Sequence, residues 1–481
     1  MYAAVLSGFG GPDRLEVREV PTPRPGPGQL LVRVAAAAVN NTDINTRLGW
    51  YARPDETPMQ GTAFSGWTGS AFELPRIQGA DGCGYVAAAG SAADAPRVGE
   101  RVLIDPIIRP VAGAGLGMGA GAGITYLGSE CDGCFAQYVA VPAANARRVD
   151  SRYSDVELAS FPCAYLAAEH MLSRADVRAG ETVLVTGASG GVGSAAVQLA
   201  HRRGATVLAV AAADKAAAVR DLGASRILER HADLVSELGR ECIDAVVDVA
   251  GGDAFGALLE LLRRRGRYAV AGAVAGPVVA LDLRVLYLKD LSLQGCTIPD
   301  PQVFSDLIGY IERAEIRPLV ARTYPLARIA EAQAEFLLKR HVGKIVLTTA
   351  DGQWPGDGQR TGDGHTPGAG QAMAAGASTG IGAFSGRLSR WSSGRCISRS
   401  RAASDRVRRP LRSSRDGRAA PIGRHRPAHL PHCPVRAAAA GPSISAPIFV
   451  AGSKGWPING MRVSKNGIGG PRCALRWRAL T

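Results

Sequence analysis

Apolar positions in the first 350 residues fall into two regimes. Up to about residue 150 they come in short runs broken by turn residues. Runs at 2–6, 15–19, 30–39, 86–89, 97–105 and 138–141 each predict a strand, with connections such as PTPRPGPG at 21–28 stiffening the chain between them. From about residue 155 the period lengthens. Residues 156–171 carry apolar side chains at helical intervals, interrupted near Pro162, and strands then alternate with helices. The strands are expected at 183–186, 206–211, 226–228, 245–249, 268–271 and 291–296, the helices at 195–200, 215–222, 234–238 and 255–262. Such alternation predicts an α/β fold with a parallel, doubly wound sheet. Helices at 304–314 and 330–338 and a strand at 344–348 return the chain to the style of its first part.

The turn between the strand at 183–186 and the helix behind it reads GASGGVGSA, with Gly187, Gly190 and Gly193 spaced three apart. Glycines at this spacing allow a tight turn, a close approach to a pyrophosphate and close packing of helix on strand. Free N–H groups at the helix start then face the phosphates. Gly187, Ser189, Gly190, Gly191, Val192 and Gly193 are therefore expected to bind a dinucleotide.

Composition changes this picture in one place. Of 56 Lys and Arg and 42 Asp and Glu residues, 21 and five lie beyond residue 350, which leaves 35 and 37 before it. The first 350 residues are nearly neutral, while 351–481 are basic, rich in Arg, Gly, Ser and Pro, and without apolar periodicity; a disordered tail is expected there. GASTGIG at 376–382 imitates the glycine turn, but no β-branched strand precedes it. An Arg-rich tail is able to hold nucleic acid through phosphates; a solvated tail without such a partner is the expectation. No apolar run approaches the roughly 18–20 residues that span a bilayer, and nine cysteines in 481 residues suit free thiols in a reducing, cytoplasmic setting.

Four stretches together, VNNTDINTRLGWY at 39–51, IQGADGCG at 77–84, GASGGVGSAAVQLA at 187–200 and HVGKIVL at 341–347, resemble the medium-chain dehydrogenase/reductase superfamily. The likeness is to its zinc-independent quinone oxidoreductase-like, zinc-type alcohol dehydrogenase-like branch, and covers about 1–350. It implies a GroES-like catalytic domain from 1–155, completed by 300–350, and a Rossmann domain at 156–299. Zinc members hold the metal with Cys, His and Cys; the matching positions here are Asn40, Ala80 and Cys163, so no metal is expected. Cys131 and Cys134 are half of a structural zinc motif whose other half is missing, and read as a thiol pair in a turn, with a local disulfide on oxidation as the alternative.

An NAD site usually ends its second strand on an acid. Here 207–210 runs into three alanines, followed by Asp214 and Lys215. Lys215, with Arg230 as a second charge, would pair with a 2′-phosphate, so NADPH is the expected cofactor. By resemblance, Asn40 lies near the nicotinamide, Lys344 near the cofactor phosphates, and Gly272 on the loop after the fourth Rossmann strand. Asp43 and Arg47 are read as an ion pair anchoring their loop. Trp50 and Tyr51 would line the substrate cleft, with aromatic core as the alternative. Zinc-free relatives reduce quinones or conjugated enones, which accept hydride without a Lewis acid. The expected activity is thus NADPH-dependent reduction of a quinone or α,β-unsaturated carbonyl. The alternatives are an alcohol dehydrogenase-type reaction or cofactor binding without turnover. The expected partners are a small-molecule substrate and a second copy of the chain, and no proton donor stands out.

Overall fold

The computed structural model describes residues 1–51, 64–65, 71–110 and 123–349. The expected tail, its GASTGIG motif and most of the glycine run at 113–123 lie outside the described residues.

The β-rich part is organised around one long strand, β1 (Gln29–Ala38), whose alternate residues Leu30, Val32 and Val34 are buried. One edge of β1 pairs with β2 (Cys83–Ala89), which continues into β3 (Arg101–Ile104). Along its other edge, the first half of β1 meets β4 (Tyr138–Pro142), and its last residues, Ala36 to Ala38, meet Thr348 to Val346 of the strand that ends the described chain. That pairing brings segments some three hundred residues apart to one place. It sets Asn40, just past β1, beside Lys344.

The second part is a six-stranded sheet in which every pairing is parallel. Its strands in chain order are β5 (Thr182–Val185), β6 (Thr206–Ala211), β7 (Arg226–Glu229), β8 (Ile243–Asp248), β9 (Leu262–Val270) and β10 (Ser292–Gly295), arranged spatially β7-β6-β5-β8-β9-β10. Chain direction across the sheet reverses between β5 and β8, and ligands of such sheets bind at the carboxyl ends flanking that reversal. Asp248, fully buried at the end of β8, ties this point together: it accepts from the Thr186 and Tyr268 hydroxyls and from the Ala250 N–H at 2.8 Å.

Boundaries match the apolar pattern closely where burial is two-sided: β6 falls on the expected residues, and β5 begins and ends one residue before the expected run 183–186. The helix expected to end at 262 instead ends at Leu261 (Phe255–Leu261). Leu262 is already extended, and the Lys289 ammonium caps the helix end by donating to the carbonyls of Leu259, Glu260 and Leu262. At the far edge, β10 pairs only with β9, and the neighbouring helix Leu283–Leu288 buries none of its residues, leaving Leu283, Tyr287 and Leu293 exposed. Among the described residues no helix is long and apolar enough to cross a membrane.

Candidate active site

The site begins where β1 stops. Asn40 has extended backbone, and helix α1 (Asn41–Arg47) starts behind it, its first turn closed by the Asp43 carboxylate, which accepts from the Asn40 N–H at 2.8 Å. Burial pushes the Asp43 carboxyl up to about 7, with Asp81 adding to the rise and the Asn40 N–H and Lys344 opposing it. The expected Asp43–Arg47 ion pair does not form. Asp43 turns back to cap its own helix, while Arg47, fully buried, donates to Gln333 Oε1 at 3.0 Å and to the Gly10 carbonyl.

Around Asn40 lies a closed polar network. Its Nδ2 donates to Asp81 Oδ2 at 2.9 Å, and its Oδ1 accepts from the Lys344 ammonium, which also pairs with Asp81 at 2.9 Å. The other Asp81 oxygen accepts from the Cys163 N–H at 2.6 Å. Asp81 is 0% exposed and Lys344 3%, so this is a buried charge pair in which both Asp81 oxygens and both ends of the Asn40 amide are bonded. The Cys163 thiol meets the Tyr126 hydroxyl at 3.2 Å. Burial, then the Asp81 charge, pushes the thiol up to about 12, and Tyr126 also titrates well above an ordinary tyrosine. The fully buried methyl of Ala80 supplies no donor. Among the described residues no three His, Cys, Asp or Glu side chains are grouped to hold a metal ion, and Cys131 and Cys134 remain free thiols.

Trp50 is 46% exposed and so does not belong to a core. It meets Tyr51 edge-on with ring centroids 5.3 Å apart. The half-buried Tyr51 shares 3.4 Å contacts with Thr42 Oγ1 and Asn45 Nδ2, and burial raises its hydroxyl above the ordinary range.

The glycine turn packs against Gly343 and Lys344. Gly187 adopts φ +55°, and a Cβ on Gly193 would stand 2.2 Å from the Gly187 carbonyl oxygen, so both positions demand glycine. Gly190 caps helix α2 (Gly191–Arg202), in which Ala195 and Ala196 are fully buried. The Ser189 carbonyl accepts from the Gly343 N–H at 3.0 Å, and a Cβ on Gly191 would lie 2.9 Å from Lys344 Cδ. The fold therefore brings Asn40, Ser189, Gly191 and Lys344 together. Lys215 is buried, with its ammonium on the Lys339 carbonyl, whereas Arg230 is exposed and acts on Lys215 only through its charge. Gly272 follows the fifth strand of the sheet, not the fourth, because the short β7 counts as a full member. Tyr126, Thr42 and Lys339 carried no signal in the sequence: each meets a partner nine or more residues away, Cys163, Tyr51 and Asn41.

Comparison with known proteins agrees with this architecture. Residues 26–151 match the alcohol dehydrogenase GroES-like domain and residues 191–313 the zinc-binding dehydrogenase domain. An acryloyl-coenzyme A reductase of Metallosphaera sedula is 30% identical over 356 residues, which cover 73% of this chain and all of that protein. The crystal structure of a putative alcohol dehydrogenase from Sinorhizobium meliloti superposes with a TM-score of 0.67 at 46% identity, covering 72% of this chain and 96% of that one. A mycobacterial protein complexed with NADPH superposes with a TM-score of 0.57 at 28% identity, covering 73% of this chain and 100% of that one. On these matches the chain belongs to the medium-chain dehydrogenase/reductase superfamily, in its zinc-type alcohol dehydrogenase-like branch.

Proposed function

We propose that this oxidoreductase is NADPH-dependent and passes hydride to a quinone or an α,β-unsaturated carbonyl without zinc. The observation that carries this reading is the Lys344 ammonium between Asn40 and Asp81, next to Cys163. A catalytic zinc wants thiolate and imidazole ligands with one position left open. Here the three corresponding positions offer an amide, a methyl and a thiol held protonated by burial. An adjacent ammonium would further repel a dication. The residues do not fit the metal. A pocket without a Lewis acid needs a substrate already electrophilic, and acryloyl-coenzyme A, named for the relative above, is an α,β-unsaturated thioester of that kind.

The residues present do fit a dinucleotide. The turn 187–193 and the start of α2 would hold the pyrophosphate, with Lys344 beside them, Asn40 and Gly272 near the nicotinamide, and Lys215 and Arg230 at the 2′-phosphate. When bound, the nicotinamide supplies the hydride. The Gly343 to Ser189 bond pins the last loop against the turn, which keeps Lys344 in register with the glycines. Trp50 and Tyr51 wall the cleft. Tyr51 and Tyr126, both raised by burial, stay neutral hydroxyl donors for an oxygen on which negative charge develops.

Purified chain supplied with NADPH or NADH and a panel of quinones and enones tests this. At least one acceptor should oxidise NADPH, faster than NADH. NADPH binding with no oxidation by any panel member would contradict the reading.

We also infer that a second copy covers the exposed strip at β10. An open strand edge beside Leu283, Tyr287 and Leu293 is self-complementary about a twofold axis. Sedimentation should show a two-chain species that Leu293→Lys dissociates; a wild-type monomer would sink the inference.

A further inference from the structure

Asp248 is 0% exposed and ends β8, next to the point where chain direction across the sheet reverses. Every group on its carboxyl has a hydrogen to give. Oδ1 accepts from the Thr186 hydroxyl and from the Ala250 N–H at 2.8 Å, and Oδ2 from the Tyr268 hydroxyl. The Gly251 N–H is shared between the two oxygens at 3.1 and 3.2 Å. A carboxylate, which only accepts, suits such a ring of donors. These partners are all neutral, so among the described residues hydrogen bonds alone hold the charge, with no cation beside it. Burying an unpaired charge is costly, and the cost falls when a positive charge arrives.

Three loops are tied to this carboxylate. Thr186, which donates to it, is the residue before the glycine turn and also accepts from the Val249 N–H at 3.1 Å. The loop 249–252 turns on Gly251 (φ +66°) and Gly252 (φ +72°). It carries the next loop by backbone bonds: the Gly252 N–H donates to the Gly276 carbonyl at 3.1 Å and the Ala275 N–H to the Ala250 carbonyl at 2.8 Å. A Cβ on Gly272 would stand 2.9 Å from the Val249 carbonyl oxygen. The charge thus sits in a closely bonded frame at the carboxyl ends of β5, β8 and β9. A dinucleotide on such a sheet lays its adenosine over the second strand, here β6, on one side of the reversal. Its nicotinamide then falls on the other side, over β8 and β9.

We propose that the unpaired Asp248 charge acts on the nicotinamide ring, favours its cationic oxidised form over the neutral reduced one, and so makes the bound cofactor a stronger hydride donor. The inference rests on hydride transfer from a nicotinamide, and holds with or without a 2′-phosphate. As the hydride leaves the reduced ring for the acceptor, which also gains a proton from water, the ring takes on a positive charge. Asp248 stabilises that charge as it develops, and exchanges neither proton nor electron itself. Its hydrogen bonds fix it beforehand, so little reorganisation is needed. Tyr268 already bears the same field: burial, then the Asp248 charge, raises its hydroxyl above the ordinary tyrosine range.

The test is the affinity for oxidised against reduced cofactor, read without turnover. NADPH binding is followed by its fluorescence and NADP⁺ binding by displacement of NADPH, in the wild type and in Asp248→Asn. Asparagine keeps the shape: its Oδ1 accepts from Thr186, Ala250 and Gly251, and its Nδ2 donates to Tyr268. Asp248→Asn should weaken NADP⁺ by about tenfold more than NADPH, which raises the midpoint potential of the bound couple by about 30 mV. Thr186→Val loosens the same frame but leaves the charge, and should change both affinities by one factor. Tyr268→Phe removes a dipole that offsets the charge, and should shift the ratio the other way, towards NADP⁺, by about twofold. Equal weakening of both forms by Asp248→Asn would make the residue a structural anchor only and overturn the proposal. Should that variant not fold, a ratio left unmoved by Tyr268→Phe overturns it instead. A wild type that prefers NAD⁺ and NADH defeats the NADPH reading alone, and the same ratios measured with that pair then test Asp248; a wild type that binds neither pair defeats both.

Discussion

Lys344→Met is expected to lower the unfolding free energy by about 3–5 kcal/mol, the usual cost of removing one partner from a buried ion pair. Asp81 is 0% exposed and would keep only the Asn40 Nδ2 and Cys163 N–H bonds, with its charge uncompensated. Asn40 Oδ1 would lose its donor at the same time. Denaturant unfolding monitored by circular dichroism reads the loss as a drop in the transition midpoint. Lys344→Met combined with Asp81→Asn should recover much of it, because the remaining amide carries no charge to bury. The deficit should also grow with pH. Lys344 holds Asp43 down against the burial that puts it at about 7, so without Lys344 the folded Asp43 binds its proton more tightly still. Below that range Asp43 is protonated in both proteins and contributes no difference. As pH rises through about 7 the variant must bury a costlier charge, and its disadvantage widens. A deficit under about 1 kcal/mol, independent of pH, would show that the pair is not the buried network described.

How much of this was legible in the sequence follows from what holds each element. Strands β5 and β6 and the last strand, Lys344–Thr348, are β-branched or apolar runs buried on both faces, so local pattern and tertiary demand agree. The glycine turn was legible for a related reason: Gly187 answers to its own φ of +55° and Gly193 to the Gly187 carbonyl six residues before it. Helix α1 was not. NTDINTR has no apolar stripe; it exists because Asp43 closes its first turn and because Asp43, Ile44, Thr46 and Arg47 are buried by other parts of the chain. The strand Val320–Pro325 likewise shows mostly exposed or half-exposed residues, and owes its form to pairing with Lys344–Thr348. In the site, the glycines, Asn40 and Lys344 were named from motifs, but their convergence spans 304 positions and only the sheet reveals it. The sequence pairs Lys215 with Arg230 as phosphate ligands; the dependence of Lys215 on the Lys339 backbone, 124 residues on, leaves no trace in spacing or composition.

The largest functional effect expected is the response to zinc, because the two readings of Cys163 and its neighbours differ by all of the activity. If a metal polarised the substrate oxygen, its removal would abolish turnover, since no other Lewis acid stands among the described residues. If the Lys344, Asn40 and Asp81 network occupies that position, removal has nothing to take. The network is already charge-balanced, with Lys344 paired to Asp81 at 2.9 Å, and placing a dication there would first have to expel an ammonium from a buried pair. The thiol of Cys163, pushed up to about 12, would also have to release a proton beside the Asp81 carboxylate. The direct test is metal analysis and NADPH oxidation on one sample, with the best quinone or enone acceptor, before and after exhaustive dialysis against a chelator. Zinc far below one ion per chain with an unchanged rate is the predicted result; a rate that falls with the zinc content and returns when zinc is restored would contradict it.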